Sequence, residues 1–261
     1  MTAGEPTQGV APPQGVDGAT REARLRGESI HVVRGGKAVV RGVTIEARAG
    51  EVLAVVGPSG AGKSTLFRAL VGELPVARGR VELEGSDVSA WPLWRRARHG
   101  LGYVPQTPSV LFSLSVRANL ATFHRIVHGD DGDPAGVAAK FDLSARLDVP
   151  AGELSAGERR RLELARALVR TPCVLICDEP FAGVDPAGSA RIVTLLRGLA
   201  ARGVAIVLAD HHVAEALALA TRAVLLLDGE VATEGDPRSF RDHPLVRDRY
   251  LGSWSLAPPP T

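Results

Sequence analysis

Gly57-Pro58-Ser59-Gly60-Ala61-Gly62-Lys63-Ser64-Thr65 follows the apolar run Val52-Leu53-Ala54-Val55-Val56 and precedes the periodic segment Leu66-Phe67-Arg68-Ala69-Leu70-Val71. The three stretches read as a strand, a glycine-rich turn and a helix start, the context that a phosphate-binding loop requires. Gly57, Gly60 and Gly62 let the backbone curl so that successive N–H groups point inward at phosphate oxygens, and the new helix adds its positive end. Lys63 is then expected to reach the β- and γ-phosphates and Ser64 to ligate Mg²⁺, with Ser59 and Thr65 completing the cradle. The competing reading is an ordinary strand-to-helix turn that happens to be rich in glycine. Every motif position is filled and both flanks are correct, which leaves that reading little room.

Composition bounds the rest. A chain of 261 residues fits one large α/β domain, or one domain with a small inserted lobe. No apolar run reaches the roughly 20 residues needed to cross a bilayer, and the N-terminus lacks the basic and apolar regions of a secretory signal. Any membrane role therefore has to come through a partner. A formal net charge of +2 argues against a nucleic-acid protein held by a basic face. Cys173 and Cys177 lie in an apolar run without a second pair, which points to two buried thiols rather than a zinc site and suits a reducing compartment.

Along the chain, residues 1–26 and 253–261 are rich in Gly, Pro and Ala without periodicity and read as disordered tails around a domain at 27–252. Residues 29–47 hold two alternating stretches expected to pair as antiparallel strands, and Arg80-Val81-Glu82-Leu83-Glu84 suggests a further edge strand. The segment 91–99 carries Arg95, Arg96 and Arg98 and reads as a solvated helical face. After the strand-like Leu101-Gly102-Tyr103-Val104, a helical pattern broken by Gly129, Gly132, Pro134 and Gly136 suggests a lobe inserted over about 107–170. Apolar runs at 173–177, 204–209 and 223–227 then alternate with helical segments. Short buried strands separated by helices imply a mainly parallel sheet covered on both faces.

Two further stretches carry chemistry. Val174-Leu175-Ile176-Cys177 ends in Asp178 and Glu179, downstream of the phosphate loop; Asp178 is placed to hold Mg²⁺ and Glu179 to orient or deprotonate the attacking water. Such acidic pairs are common on solvent-facing turns, and it is the complete phosphate loop that gives this one its weight. Leu154-Ser155-Ala156-Gly157-Glu158 opens a helix with Ser155 as cap, and Gly157 leaves backbone N–H groups open to an anion. The bland alternative is a well-capped amphipathic helix with Leu162, Ala165 and Leu168 toward the core.

The order Gly57 to Thr65, Gln106, Leu154 to Glu158, Asp178-Glu179, Asp185 and His211 resembles the nucleotide-binding subunits of ATP-binding-cassette (ABC) transporters over residues 28–252. The resemblance implies a P-loop ABC ATPase with a mainly parallel core, an antiparallel β subdomain and an inserted helical lobe. It implies ATP and Mg²⁺ as cofactors, with Ser64, Gln106 and Asp178 at the metal. A head-to-tail homodimer is implied as well, in which Ser155 and Gly157 of one subunit cap the γ-phosphate held by the other's Lys63 and Asp185 lies across the seam. Gln106 would relay to transmembrane subunits, and His211 would hold the γ-phosphate and the attacking water beside Glu179. Such a subunit works peripherally at the cytoplasmic face of the inner membrane.

A finer likeness, in Asp178-Glu179-Pro180-Phe181-Ala182-Gly183-Val184-Asp185-Pro186, Asp210-His211, Tyr250-Leu251-Gly252 and Gly102-Tyr103, is to the ATPases of lipopolysaccharide export. Branched-chain amino-acid importer ATPases are similar in outline, and a soluble ABC switch without a transporter is the reading from another class. The sequence departs from the pattern in four places: Ala156 replaces the usual signature glycine, His212 stands where asparagine is typical, the window 30–36 offers only His31 and Arg34 where an adenine-stacking aromatic is expected, and the helical lobe is slightly short between about His128 and Pro150. The cluster Val110, Leu111, Phe112 and Leu114 is either the inner face of the lobe or a groove for a short amphipathic helix of the transmembrane subunit.

Overall fold

In the computed structural model, which describes residues 22–251, the glycine-rich loop joins strand β3 (Val52–Val56) to helix α1 (Lys63–Leu70). Ahead of them run β1 (Ala23–Arg34) and β2 (Lys37–Arg48). Gly35 and Gly36, both at positive φ, make the two-residue turn of this antiparallel hairpin. β1 starts four residues before the expected domain boundary at 27, because Leu25 is buried and pairs with both Ala47 and Leu83. Tail residues 1–21 and 252–261 lie outside the described residues.

β4 (Arg78–Leu83) pairs with β1 and is not an edge, since the short β5 (Ser86–Asp87) lies outside it in a sheet of order β2-β1-β4-β5. A second sheet is built from β3, β6 (Leu101–Val104), β7 (Val174–Asp178), β8 (Ala205–Ala209), β9 (Arg222–Leu227) and β10 (Glu230–Gly235), in the order β10-β9-β3-β8-β7-β6. All its pairings are parallel except β9 with β10. β10 has no counterpart in the sequence reading, because its side chains are only half-buried and its alternation is weak.

Alternation along the central strands explains why both faces need cover. Val52, Ala54 and Val56 enter one core with Leu175, Cys177, Ile206 and Leu208, whereas Leu53 and Val55 enter the other with Val174, Ile176, Ala205 and Val207. Successive side chains on a strand point to opposite faces, so continuous apolar runs imply a layer on each side. On one side lie α1 and the antiparallel sheet. On the other lie α6 (Pro186–Ala201), α7 (Val213–Leu219) and the inserted lobe. Burial lifts the Cys177 thiol to about 12 and the half-buried Cys173 to about 11, so both stay protonated near neutral pH.

The segment expected as a solvated basic face is corrected in one residue. α2 (Leu93–Arg98) buries Arg96. Its guanidinium donates to the carbonyls of Ala69 and Leu70 at 3.0 and 2.7 Å, and to those of Trp91 and Ser89. It thus caps the last two carbonyls of α1, of which Ala69 also accepts the Gly72 N–H. Arg95 stacks over Trp91 at the surface.

The lobe comprises α3 (Val116–His128), α4 (Pro134–Lys140) and α5 (Ala156–Ala167). α5 begins in a capping box: Ser155 Oγ accepts the Glu158 N–H and Glu158 returns an acceptor to the Ser155 N–H. Fully buried Asn119 fastens the preceding loop, accepting from the Leu111 N–H and donating to the carbonyls of Leu111 and Leu114. Held from beneath in this way, the loop buries Val110 but leaves Leu111, Phe112 and Leu114 at 37%, 48% and 37% exposure.

Candidate functional site

Gly57 adopts φ +152, and a Cβ there would lie 2.2 Å from the Leu226 carbonyl, so only glycine lets the loop cross the end of β9. Gly62, at φ +103, occupies the N-cap of α1, where a Cβ would press at 3.0 Å on the Val39 carbonyl. These two glycines aim the start of α1 into a cleft of about 350 Å³ lined by Ser59, Gly60, Gly62, Lys63, Ser64 and Thr65, together with Gln106, Glu179, His211, Arg34 and Val39. Lys63 is buried and donates to the carbonyls of Gly57 and Pro58 at 2.6 and 3.0 Å. Burial lowers its pKa, against the attraction of Asp178 and Glu179. A phosphate entering the cleft would compete for the same ammonium and relieve the cost of burying it.

β7 delivers the acidic pair. Asp178 is buried at the strand end and its pKa is raised by desolvation, opposed by a hydrogen bond from Ser64 and by the charges of Lys63 and Arg160. Glu179 projects into the cleft, where its Oε1 accepts from Gln106 Nε2 at 2.8 Å and meets His211 Nε2 at 2.9 Å. Two side chains 105 positions apart therefore converge on one carboxylate oxygen of Glu179, beside the phosphate loop. The loop after β8 that carries His211 is held by buried Asp210, which accepts from the backbone N–H groups of Phe181 and His212 at 2.8 Å each. His212 also turns its Nδ1 to Asp210, filling a polar role compatible with its place at the start of α7.

Ser155, Gly157 and Asp185 do not line this cleft. They form a second locus: a Cβ on Gly157 would lie 3.6 Å from Asp185 Oδ2, and one on Gly183 would lie 3.3 Å from the Ala156 methyl. Glycine at 183 thus leaves room for the methyl that departs from the signature pattern. Asp185 caps α6 by accepting the Gly188 N–H, which, with other backbone N–H groups, holds its carboxyl below the usual range. Sequence reasoning did not find Arg160, Glu163 or Asn119, and it noted Asp210 only within the likeness and not as a loop anchor; all four are buried polar groups that hold loops. Arg160, Glu163 and Arg166 recur at three-residue spacing along α5, a signal masked by the surrounding charge run.

A sequence profile described as ABC transporter matches residues 40–182, more than half of the chain. The chain belongs to the ABC transporter family. This ABC ATPase is 40% identical over 238 residues to a probable ABC transporter ATP-binding protein of Azorhizobium caulinodans, across 90% of this chain and 85% of that one. It is also 40% identical over 233 residues to the lipopolysaccharide export system ATP-binding protein LptB of Acidithiobacillus ferridurans, covering 87% and 96% of the two chains. Among solved structures, the ADP conformation of an ATP-binding cassette of an ABC transporter superposes with a TM-score of 0.78 at 27% identity, over 89% of this chain and 100% of that one. The ABC ATPase hydrolyses ATP for a transporter, on a fold of parallel core, antiparallel β subdomain and helices. Among the described residues no helix is long and apolar enough to cross a membrane.

Proposed function

We propose that this ABC ATPase powers lipopolysaccharide export, working at the cytoplasmic face of the inner membrane on transmembrane subunits. The observation that carries the substrate reading is the 40% identity to an LptB over 96% of that protein's length. The run from Asp178 to Pro186 and the Tyr250 segment agree with it. Tyr250 packs against the core with its hydroxyl at the Gly57 backbone N–H, which ties the C-terminal segment to the phosphate loop.

In this reading Lys63 and the N–H groups of the loop hold the β- and γ-phosphates of ATP. Ser64, Asp178 and Gln106 would hold Mg²⁺, a set of one carboxylate and two neutral oxygen donors that suits this hard cation. The metal supplies charge neutralisation between the phosphates. Glu179 takes or orients the proton of the attacking water, and His211 fixes its position. Separation of Ser155, Gly157 and Asp185 from the cleft favours a head-to-tail dimer, in which this second locus closes the partner's cleft.

The adenine contact falls to Arg34 and Val39, which line the cleft. A guanidinium stacks on a planar base as an aromatic ring does. Arg34→Ala should weaken ATP binding by about 1 kcal/mol and Arg34→Tyr should restore it. Equal affinities in all three proteins, measured by equilibrium dialysis, place the base elsewhere.

Depleting the protein in its own cells tests the substrate: lipopolysaccharide should accumulate at the inner membrane while branched-chain amino-acid uptake stays normal, and the opposite pattern rejects the export reading. The exposed Leu111 and Phe112 supply the docking test. Leu111→Ala and Phe112→Ala should reduce co-purification of the transmembrane subunits by roughly tenfold, the scale of an interface anchor. ATP turnover and melting temperature of the isolated protein should stay near wild type. A large drop in melting temperature with subunit binding intact defeats the docking role.

A further inference from the structure

Four backbone groups outside the phosphate loop converge on a ladder of buried charge along α5. Arg160 Nη1 donates to the Pro105 carbonyl and to Glu163 Oε2, each at 2.8 Å, while Nη2 donates to the Glu179 carbonyl at 2.9 Å. Glu163 Oε1 accepts the Ser109 N–H at 2.6 Å, and Arg166 Nη1 donates to the Ser109 carbonyl at 2.6 Å. Segment 105–109, which contains Gln106, is therefore held to α5 at both ends. Glu179 itself adopts φ +55, a left-handed conformation that a non-glycine residue keeps only when its surroundings impose it. Its N–H donates to the Ala209 carbonyl at 2.7 Å, and Arg160 holds its carbonyl on the other side. The planar fork of a guanidinium can serve two carbonyls and a carboxylate together; a lysine ammonium has no such fixed geometry.

We propose that Arg160 is a positioning residue for hydrolysis, tying the signature helix to the Glu179 peptide and the Gln106 loop so that the Glu179 carboxylate is aimed at the attacking water. This rests on the reading of Glu179 as the group that works on that water. Arg160 and Glu163 are both almost wholly buried and Arg166 also acts on Glu163, so removing Arg160 alone would mix lost positioning with an altered buried charge. Glu163→Gln is therefore the reference, since it is neutral and keeps both carbonyl contacts of Arg160 available.

The experiment compares Glu163→Gln with the double variant Glu163→Gln, Arg160→Gln, measuring KM for ATP and turnover per ATP-binding site counted by equilibrium dialysis. Counting sites removes any difference in folded fraction. Turnover per site in the double variant should fall by roughly tenfold to a hundredfold, the cost of a misplaced reacting group, with KM within about threefold. Equal turnover per site in the two proteins overturns the proposal. Arg160→Lys, which keeps the charge beside Glu163, should lose turnover in the same sense, and wild-type turnover in that variant overturns it as well. Glu179→Gln separates the two levels: full activity there removes the underlying reading, whereas an inactive Glu179→Gln beside an unaffected double variant removes only the role of Arg160.

Discussion

Glu179→Gln is expected to lower ATP turnover by roughly 10² to 10⁴-fold, the range that a positioned general base contributes, and to leave ATP binding intact. The amide has the shape of the carboxylate, and it can still meet Gln106 and His211, whose side chains reach Glu179 Oε1 at 2.8 and 2.9 Å. What it lacks is an oxygen basic enough to take a proton from water. Binding persists because the phosphates are held by the loop from Gly57 to Thr65, on which the substitution has no direct hold. A protein that binds but does not cleave should remain ATP-bound and dimeric, so size-exclusion chromatography with Mg²⁺ and ATP should show a dimer that wild type does not retain. Turnover near the wild-type rate would remove Glu179 from the proposed role and leave His211 as the group to test.

Lys63→Ala should act on the other half of the reaction, weakening ATP binding by about 1.5 to 3 kcal/mol, the scale of a hydrogen bond to a charged group. That is about tenfold to somewhat over a hundredfold in Kd. Lys63 is buried with its pKa depressed by desolvation, and among the described residues the carbonyls of Gly57 and Pro58 in its own loop accept from it. A phosphate dianion is a far better partner than those carbonyls, which is why the loss should fall on binding. The folded state should tolerate the change or gain from it, because a poorly compensated buried charge is removed. Isothermal titration with ATP and Mg²⁺, next to a melting curve without nucleotide, separates the two effects. Unchanged affinity would show that the loop's N–H groups hold the phosphates without the lysine.

The phosphate loop, the parallel core and the acidic pair were legible in the chain because each is a local pattern. Val52 to Val56 is apolar throughout since both faces of its sheet are covered, and Gly57 and Gly62 stand where a side chain would strike the Leu226 and Val39 carbonyls. Ser155 announced a helix start as a cap residue, and the structure adds Glu158 to make a capping box. Family resemblance, not periodicity, singled out Gln106, Asp185 and His211.

Tertiary structure decided the rest, wherever a residue's role depends on partners far away in the chain. Arg96 looked like one charge in an exposed basic run, yet its place against the end of α1 turns it into a buried cap for carbonyls 26 and 27 residues earlier. Arg160 sits between Arg159 and Arg161, both half-buried, and it is the approach of Pro105 and Glu179 to α5 that makes it a clamp. The same holds for the convergence of Gln106 and His211 on Glu179, since no spacing along the sequence encodes a meeting of three loops. Apolar side chains declare their burial through period and run length. A buried polar group is admitted only when folding brings its hydrogen-bond partners to it, so its place becomes visible only in the assembled structure.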